Sequence, residues 1–219
     1  YCGVKISSRW NTSPSKFCLA MAWTIQSTTV IPNWMEYWLS GDNLEVQYFP
    51  RKESDMDRKA TARETLKIME QGFYEFEGKQ IEIRLDMEAS IKGSFLLTPG
   101  QGEALLRKYS ISGNHSPKAC PAYVENISTV DAIRKLAEEG KNSIGVLNFA
   151  SAKNPGGGFL NGAMAQEESL AASSTLYPTL TAHEEYYRSN RLQSSMVYTD
   201  HAIYSPDVLF FRNGRFRLV

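Results

Sequence analysis

A glycine triplet, Gly156-Gly157-Gly158, is followed after seven residues by Gln166 and two adjacent acids, Glu167 and Glu168. Neighbouring side chains on a helix point about 100° apart, so the two carboxylates can address different parts of one ligand. The helix dipole also favours acids in a first turn, an account that needs no ligand. The glycines lack Cβ, which lets backbone N–H groups approach a ligand closely and adopt positive φ. Asn154 precedes Pro155 and is biased toward extended backbone. With a helix start next in line, such a loop suits an anion, most simply a phosphate. No Gly-Lys-Ser/Thr follows, and glycines at 156, 157, 158 and 162 do not have the Gly-x-Gly-x-x-Gly spacing, so neither a Walker loop nor the dinucleotide fingerprint is present. A glycine-rich turn between strand and helix is the competing account of the glycines alone.

A strand and a helix must present these groups. Residues 144–149, Ile-Gly-Val-Leu-Asn-Phe, form a short apolar run without polar alternation, as expected of a strand covered on both faces in a parallel sheet. From Ala163 the composition turns to Ala, Met, Gln, Glu and Leu, which favour helix. The join is where open α/β sheets bind ligands, beyond the carboxyl end of a strand.

The triplet followed by Gln166-Glu167-Glu168 resembles the signature of poly(ADP-ribose) glycohydrolases. The flanking Leu147-Asn148-Phe149-Ala150-Ser151 and Asn154-Pro155 resemble the microbial type. The likeness runs in order from about Arg58, through Ala62-Arg63-Glu64-Thr65-Leu66, to Ile203-Tyr204-Ser205-Pro206-Asp207-Val208 and Phe211-Arg212. It implies an α/β macrodomain-like fold, a three-layer α/β/α sandwich with a mixed sheet whose cleft takes ADP-ribose. The implied activity is hydrolysis of the ribose–ribose O-glycosidic bonds of poly(ADP-ribose), releasing ADP-ribose. Glu168 would be the general acid that protonates the departing ribose oxygen. Glu167 and Asn154 would hold ribose hydroxyls, Gly156, Gly157 and Gly158 would line the diphosphate and distal ribose, and Gln166 would shape the loop. The implied partners are poly(ADP-ribose) and ADP-ribosylated proteins, in reversal of ADP-ribosylation and the DNA damage response, by an intracellular monomer in cytoplasm or nucleus. No cofactor is implied. In the family a further segment with a second glycine-rich loop follows, so the C-terminal part is expected to be incomplete after Val219. Two other readings stay open: an ADP-ribose-binding module without turnover, and an α/β domain with an unrelated anion site.

Composition narrows the classes. The chain has 219 residues, with 24 Lys plus Arg against 24 Asp plus Glu. No basic surplus points to direct nucleic-acid binding. Cys2, Cys18 and Cys120 are far apart and odd in number, which suits reduced intracellular thiols and argues against a zinc site. The helix and loop carry no recognisable metal-ligand set, so no metal requirement is expected. The apolar run at 17–25 is too short to span a membrane.

Two domains of unequal clarity are expected. Residues 1–50 hold all four tryptophans in poor periodicity, begin with Tyr1, and read as an N-terminal extension of uncertain structure. Residues 51–219 read as the catalytic domain. Within it, 53–71 is helical with Ala62, Leu66 and Met69 on one face and Gly72 as a stop. Residues 73–76 and 80–85 suggest a hairpin, and 103–109 a short helix. His115 lies in a polar loop with no partner for catalysis in view. A strand at 122–126, a helix at 130–139 capped by Ser128 with Asp131 and stopped by Gly140, and a strand at 143–149 form a parallel strand–helix–strand unit. Pro178 breaks the chain before a helix at 179–193 carrying His183, Tyr186 and Tyr187, and edges follow at 202–204 and 208–212.

Overall fold

In the computed structural model the described residues are 57–109, 123–194 and 197–219, together with the backbone of Cys2–Ile6. They fall within one compact unit. The expected loop histidine at 115, the tryptophans and the first residues of the helix expected from 53 lie outside them.

The first helix, α1 (Arg58–Gln71), begins where the Asp57 side chain accepts from the N–H groups of Lys59 and Ala60 at 3.0 and 3.1 Å. Side-chain oxygens at this position satisfy donors that the first turn leaves unpaired. It ends at Gly72, φ +77°, whose N–H reaches Ile68 O at 2.8 Å. That left-handed stop is what the sequence predicts there. The Gly72 carbonyl then accepts from Ile83 and Arg84, so the end of α1 is joined to the far side of the hairpin β2 (Phe73–Phe76) and β3 (Lys79–Glu82).

The hairpin is shorter than expected. Ile81, Ile83 and Leu85 alternate as a strand would, but α2 (Arg84–Gly93) starts inside that pattern. Ile83 is buried and Leu85 exposed, so the alternation reports a turn into a helix and not a longer strand. Beyond it lie β4 (Phe95–Leu97) and α3 (Pro99–Tyr109).

Helix α4 (Thr129–Glu138) follows the reading closely: Ser128 Oγ accepts from Asp131 N at 3.1 Å, and Gly140 takes φ +76°. The strand expected at 122–126 is not formed at its described positions. Tyr123 and Val124 are 84% and 99% exposed and pair with no strand. β-Branched and aromatic residues favour strands only where a neighbouring strand or core face receives them.

The main sheet is mixed, in the order β4, β6, β1, β5, where β1 is Cys2–Ile6, β5 is Ile144–Asn148 and β6 is Ala202–Ser205. β1 runs parallel to β6 and antiparallel to β5, and β4 runs antiparallel to β6. Thus β5 is not the parallel partner of a preceding strand. Its burial also alternates: Ile144, Val146 and Asn148 are buried while Gly145 is exposed and Leu147 half-buried, so one face carries the core and the other is open among the described residues.

Against that buried face pack Val130 and Ile133 of α4, Leu170 of α5 (Gln166–Ser173), Leu176 and Leu180 of α6 (Leu176–Thr181), and Tyr187 of α7 (Glu184–Arg191). Pro178 does not break the chain before a single helix. It sits in the first turn of α6, where no intrahelical N–H bond is lost, and the break falls at Ala182 and His183. A second cluster joins Ala62 of α1 to Phe159, Ala171 and Ala172, and so fixes α1 against the segment that carries the glycines. Among the described residues no helix is long and apolar enough to cross a membrane.

Candidate active site

The loop that leaves β5 is held at four points before α5 begins. Ser151 Oγ accepts from the N–H groups of Lys153 and Asn154, and the Asn154 carbonyl accepts from Gly157 N at 3.1 Å. Arg191 of α7 donates from Nη1 to Lys153 O at 2.8 Å. Gln166, the first residue of α5, turns its side-chain amide back along β5, accepting from Phe149 N at 2.9 Å and donating to Leu147 O at 2.7 Å. That pair of bonds imitates a neighbouring strand and fixes the start of the helix to the end of the sheet.

The glycines do not run directly into the helix. Gly156 and Gly157 are in the left-handed region at φ +68° and +60°, a 3-10 turn (Phe159–Asn161) follows, and α5 starts at Gln166, three residues later than Ala163. Their lack of side chains serves neighbours as well as backbone. A Cβ on Gly157 would lie 2.3 Å from Glu168 Oε1 and 3.2 Å from Glu167 Oε2, and one on Gly156 would press on the rings of Phe159 and Tyr177. The loop therefore wraps the two carboxyl groups at a distance that only glycine permits.

Each carboxyl has its own environment. Glu168 is half-buried; its Oε1 accepts from Gly158 N at 3.0 Å and its Oε2 from Ala165 N at 3.0 Å. The second bond is the reciprocal half of a capping box, the other half being absent because Ala165 has no side-chain acceptor. The expected anion site at the helix start is thus met first by the helix's own acid. Glu167 is 3% exposed, with Oε2 accepting from Ser151 N at 2.7 Å and Oε1 from Asn148 Nδ2 at 3.4 Å. Burial pushes its carboxyl up from 4.5 to about 7, against the opposing N–H donors of Ser151, Asn148 and Gly156 and with a smaller push from the charge of Glu168.

Glu167, Glu168, Gly156, Gly157 and Gly158 are therefore brought together, while Gln166 lies at the β5 side and Asn154 on the exposed outer part of the loop. Asn148 and Ser151 are polar partners to which the sequence reading gave no role. A polar residue closing an otherwise apolar strand was the available signal for Asn148. Chemically, the pair offers one buried carboxyl able to hold or release a proton near neutrality, beside one fixed and accessible to solvent. Among the described residues no group of three or more His, Cys, Asp or Glu could hold a metal ion.

A mixed sheet with a glycine loop closing over acids of the next helix defines a macrodomain-like α/β protein, and solved structures agree. Poly(ADP-ribose) glycohydrolase from Thermomonospora curvata, bound to the inhibitor ADP-HPD, superposes with a TM-score of 0.67 at 37% identity, over 74% of this chain and 57% of that one. The enzyme from Deinococcus radiodurans in complex with ADP-ribose gives 0.53 at 44% identity, over 61% and 53%. Residues 62–213 match the family model of the microbial-type PARG catalytic domain, so the chain belongs to the microbial-type poly(ADP-ribose) glycohydrolase family. It spans little more than half the length of those two solved relatives. No curated protein matches the chain.

Proposed function

We propose that this chain carries the catalytic carboxyls of a poly(ADP-ribose) glycohydrolase and cleaves the ribose–ribose O-glycosidic bond with Glu168 as general acid. The observation that carries the reading is the fixing of Glu168 by the N–H groups of Gly158 and Ala165, directly beside a glycine loop with no side chain to shield it. A positioned acid contributes roughly 10²–10⁴-fold to such a step. Glu168 gives its proton to the leaving ribose oxygen as the C–O bond breaks. Water then adds to the oxocarbenium-like centre, its proton passing to Glu168 or to a substrate phosphate.

Glu167 and Asn154 hold ribose hydroxyls in this scheme. Glu167, whose carboxyl burial pushes up to about 7, can donate to a hydroxyl as well as accept from one. Gly156, Gly157 and Gly158 pass along the diphosphate and distal ribose, and Gln166 keeps the loop's exit in register with β5. Residues 51–219 constitute the catalytic domain and 1–50 the extension, from which Cys2–Ile6 enters the sheet. The substrates are poly(ADP-ribose) and proteins bearing it, and the setting is intracellular reversal of ADP-ribosylation, including after DNA damage.

Release of free ADP-ribose from the polymer, with Glu168→Gln run alongside, tests this. The proposal expects release by the wild-type chain and a loss of at least about 10²-fold in the variant, with ADP-ribose binding retained in both. Binding without release in the wild type would instead make the chain a reader of ADP-ribose.

A further inference from the structure

Asn148 closes β5 with its side chain wholly buried, yet only half of its amide is used. Nδ2 donates to Glu167 Oε1 over a long 3.4 Å, and Oδ1 has no hydrogen-bond partner among the described residues. A buried acceptor left unpaired is costly and calls for an explanation. The two ends of a primary amide are nearly the same shape, so a half-turn about the Cβ–Cγ bond exchanges donor and acceptor without moving the neighbours.

We propose that Asn148 is a positioning residue for Glu167 that serves both forms of its carboxyl, donating from Nδ2 to the carboxylate and, after its amide turns over, accepting at Oδ1 from the carboxylic acid. Both forms of Glu167 then stay in the one place that the loop allows. The surroundings suit such a pair. Glu168, on the same helix, is the charged group acting on Glu167, and the loop presents it with the N–H groups of Ser151 and Gly156. Those N–H groups can donate but never accept, so neither can take a hydrogen bond from a proton on Glu167, whereas Asn148 Oδ1 can. The proximity of the carboxyl's titration to neutrality means that both forms are populated under working conditions.

This inference rests on the glycohydrolase reading for its consequence, but not for its test. Neutron diffraction from deuterated wild-type crystals at about pH 5 and about pH 9 places the Nδ2 deuterons directly on either side of the titration. They are expected to point at Glu167 in the alkaline crystal and away from it in the acid one, with a deuteron on Glu167 facing Oδ1. Deuterons pointing at Glu167 in both crystals, or away in both, would overturn the proposal.

The measurement does not need turnover, so a chain that shows the amide reversal but releases no ADP-ribose contradicts the glycohydrolase reading alone.

Discussion

Two glycine turns in this molecule look alike in the backbone and differ in everything around them. Gly78, at the tip of the β2–β3 hairpin, has φ +74° with nothing among the described residues within 4 Å of where a Cβ would stand. Gly157 has φ +60° with both carboxyls of the site against that position. In the hairpin glycine answers only to backbone geometry; in the loop it answers to backbone geometry and to the acids. The dihedral angle alone therefore does not separate the two turns; what stands where the Cβ would be does.

Substitutions at the two turns should separate those demands. Gly157→Ala combines left-handed strain with a clash against Glu168 Oε1, and is expected to cost about 2–5 kcal/mol in urea unfolding and to displace the Glu168 carboxyl. Glu167→Gln should act in the opposite sense at high pH. The carboxyl, raised from 4.5 to about 7, holds its proton in the folded chain over a range where the unfolded chain has lost it. Stability therefore falls as pH rises between those values, and the full cost, about 3 kcal/mol, stands above the folded value. Unfolding should show Glu167→Gln more stable than wild type by up to that amount near pH 8 and little changed near pH 4. Equal effects at both pH values would mean that Glu167 does not titrate in the fold.

Smaller effects follow outward from the site. Gln166→Ala removes the two bonds to Phe149 N and Leu147 O and should cost about 2 kcal/mol, with faster hydrogen exchange at the Phe149 amide. Gly78→Ala carries only the left-handed strain, about 1–2 kcal/mol, and should leave every property of the site unchanged.

The parts of the fold legible from sequence were those fixed by neighbours along the chain. Ser128 caps one helix, and Gly72 and Gly140 stop two, through contacts within four residues. The spacing from Gly156–Gly158 to Gln166–Glu168 likewise spans one loop and one helix start, so its residues were found together. What sequence hid depends on distant partners. Nothing in Cys2–Ile6 announces that it sits between β6 and β5, and Tyr123 and Val124 look like strand residues although no strand receives them. Ile81, Ile83 and Leu85 continue a strand pattern through a helix start because Gly72, from the far end of the hairpin, captures the N–H groups of Ile83 and Arg84. Within the site, the difference between the acids was hidden for the same reason: Glu167 is set apart by burial and by Asn148, 19 residues away.

The measurement that bears most directly on the role of the loop is the rate of ADP-ribose release from poly(ADP-ribose) by Gly157→Ala and Gly78→Ala, each at a temperature where it is fully folded. If the loop exists to hold Glu168 against the bond to be cleaved, Gly78→Ala releases at the wild-type rate and Gly157→Ala falls by at least about 10²-fold, as Glu168→Gln does. A folded Gly157→Ala protein that releases ADP-ribose as fast as Gly78→Ala would contradict it.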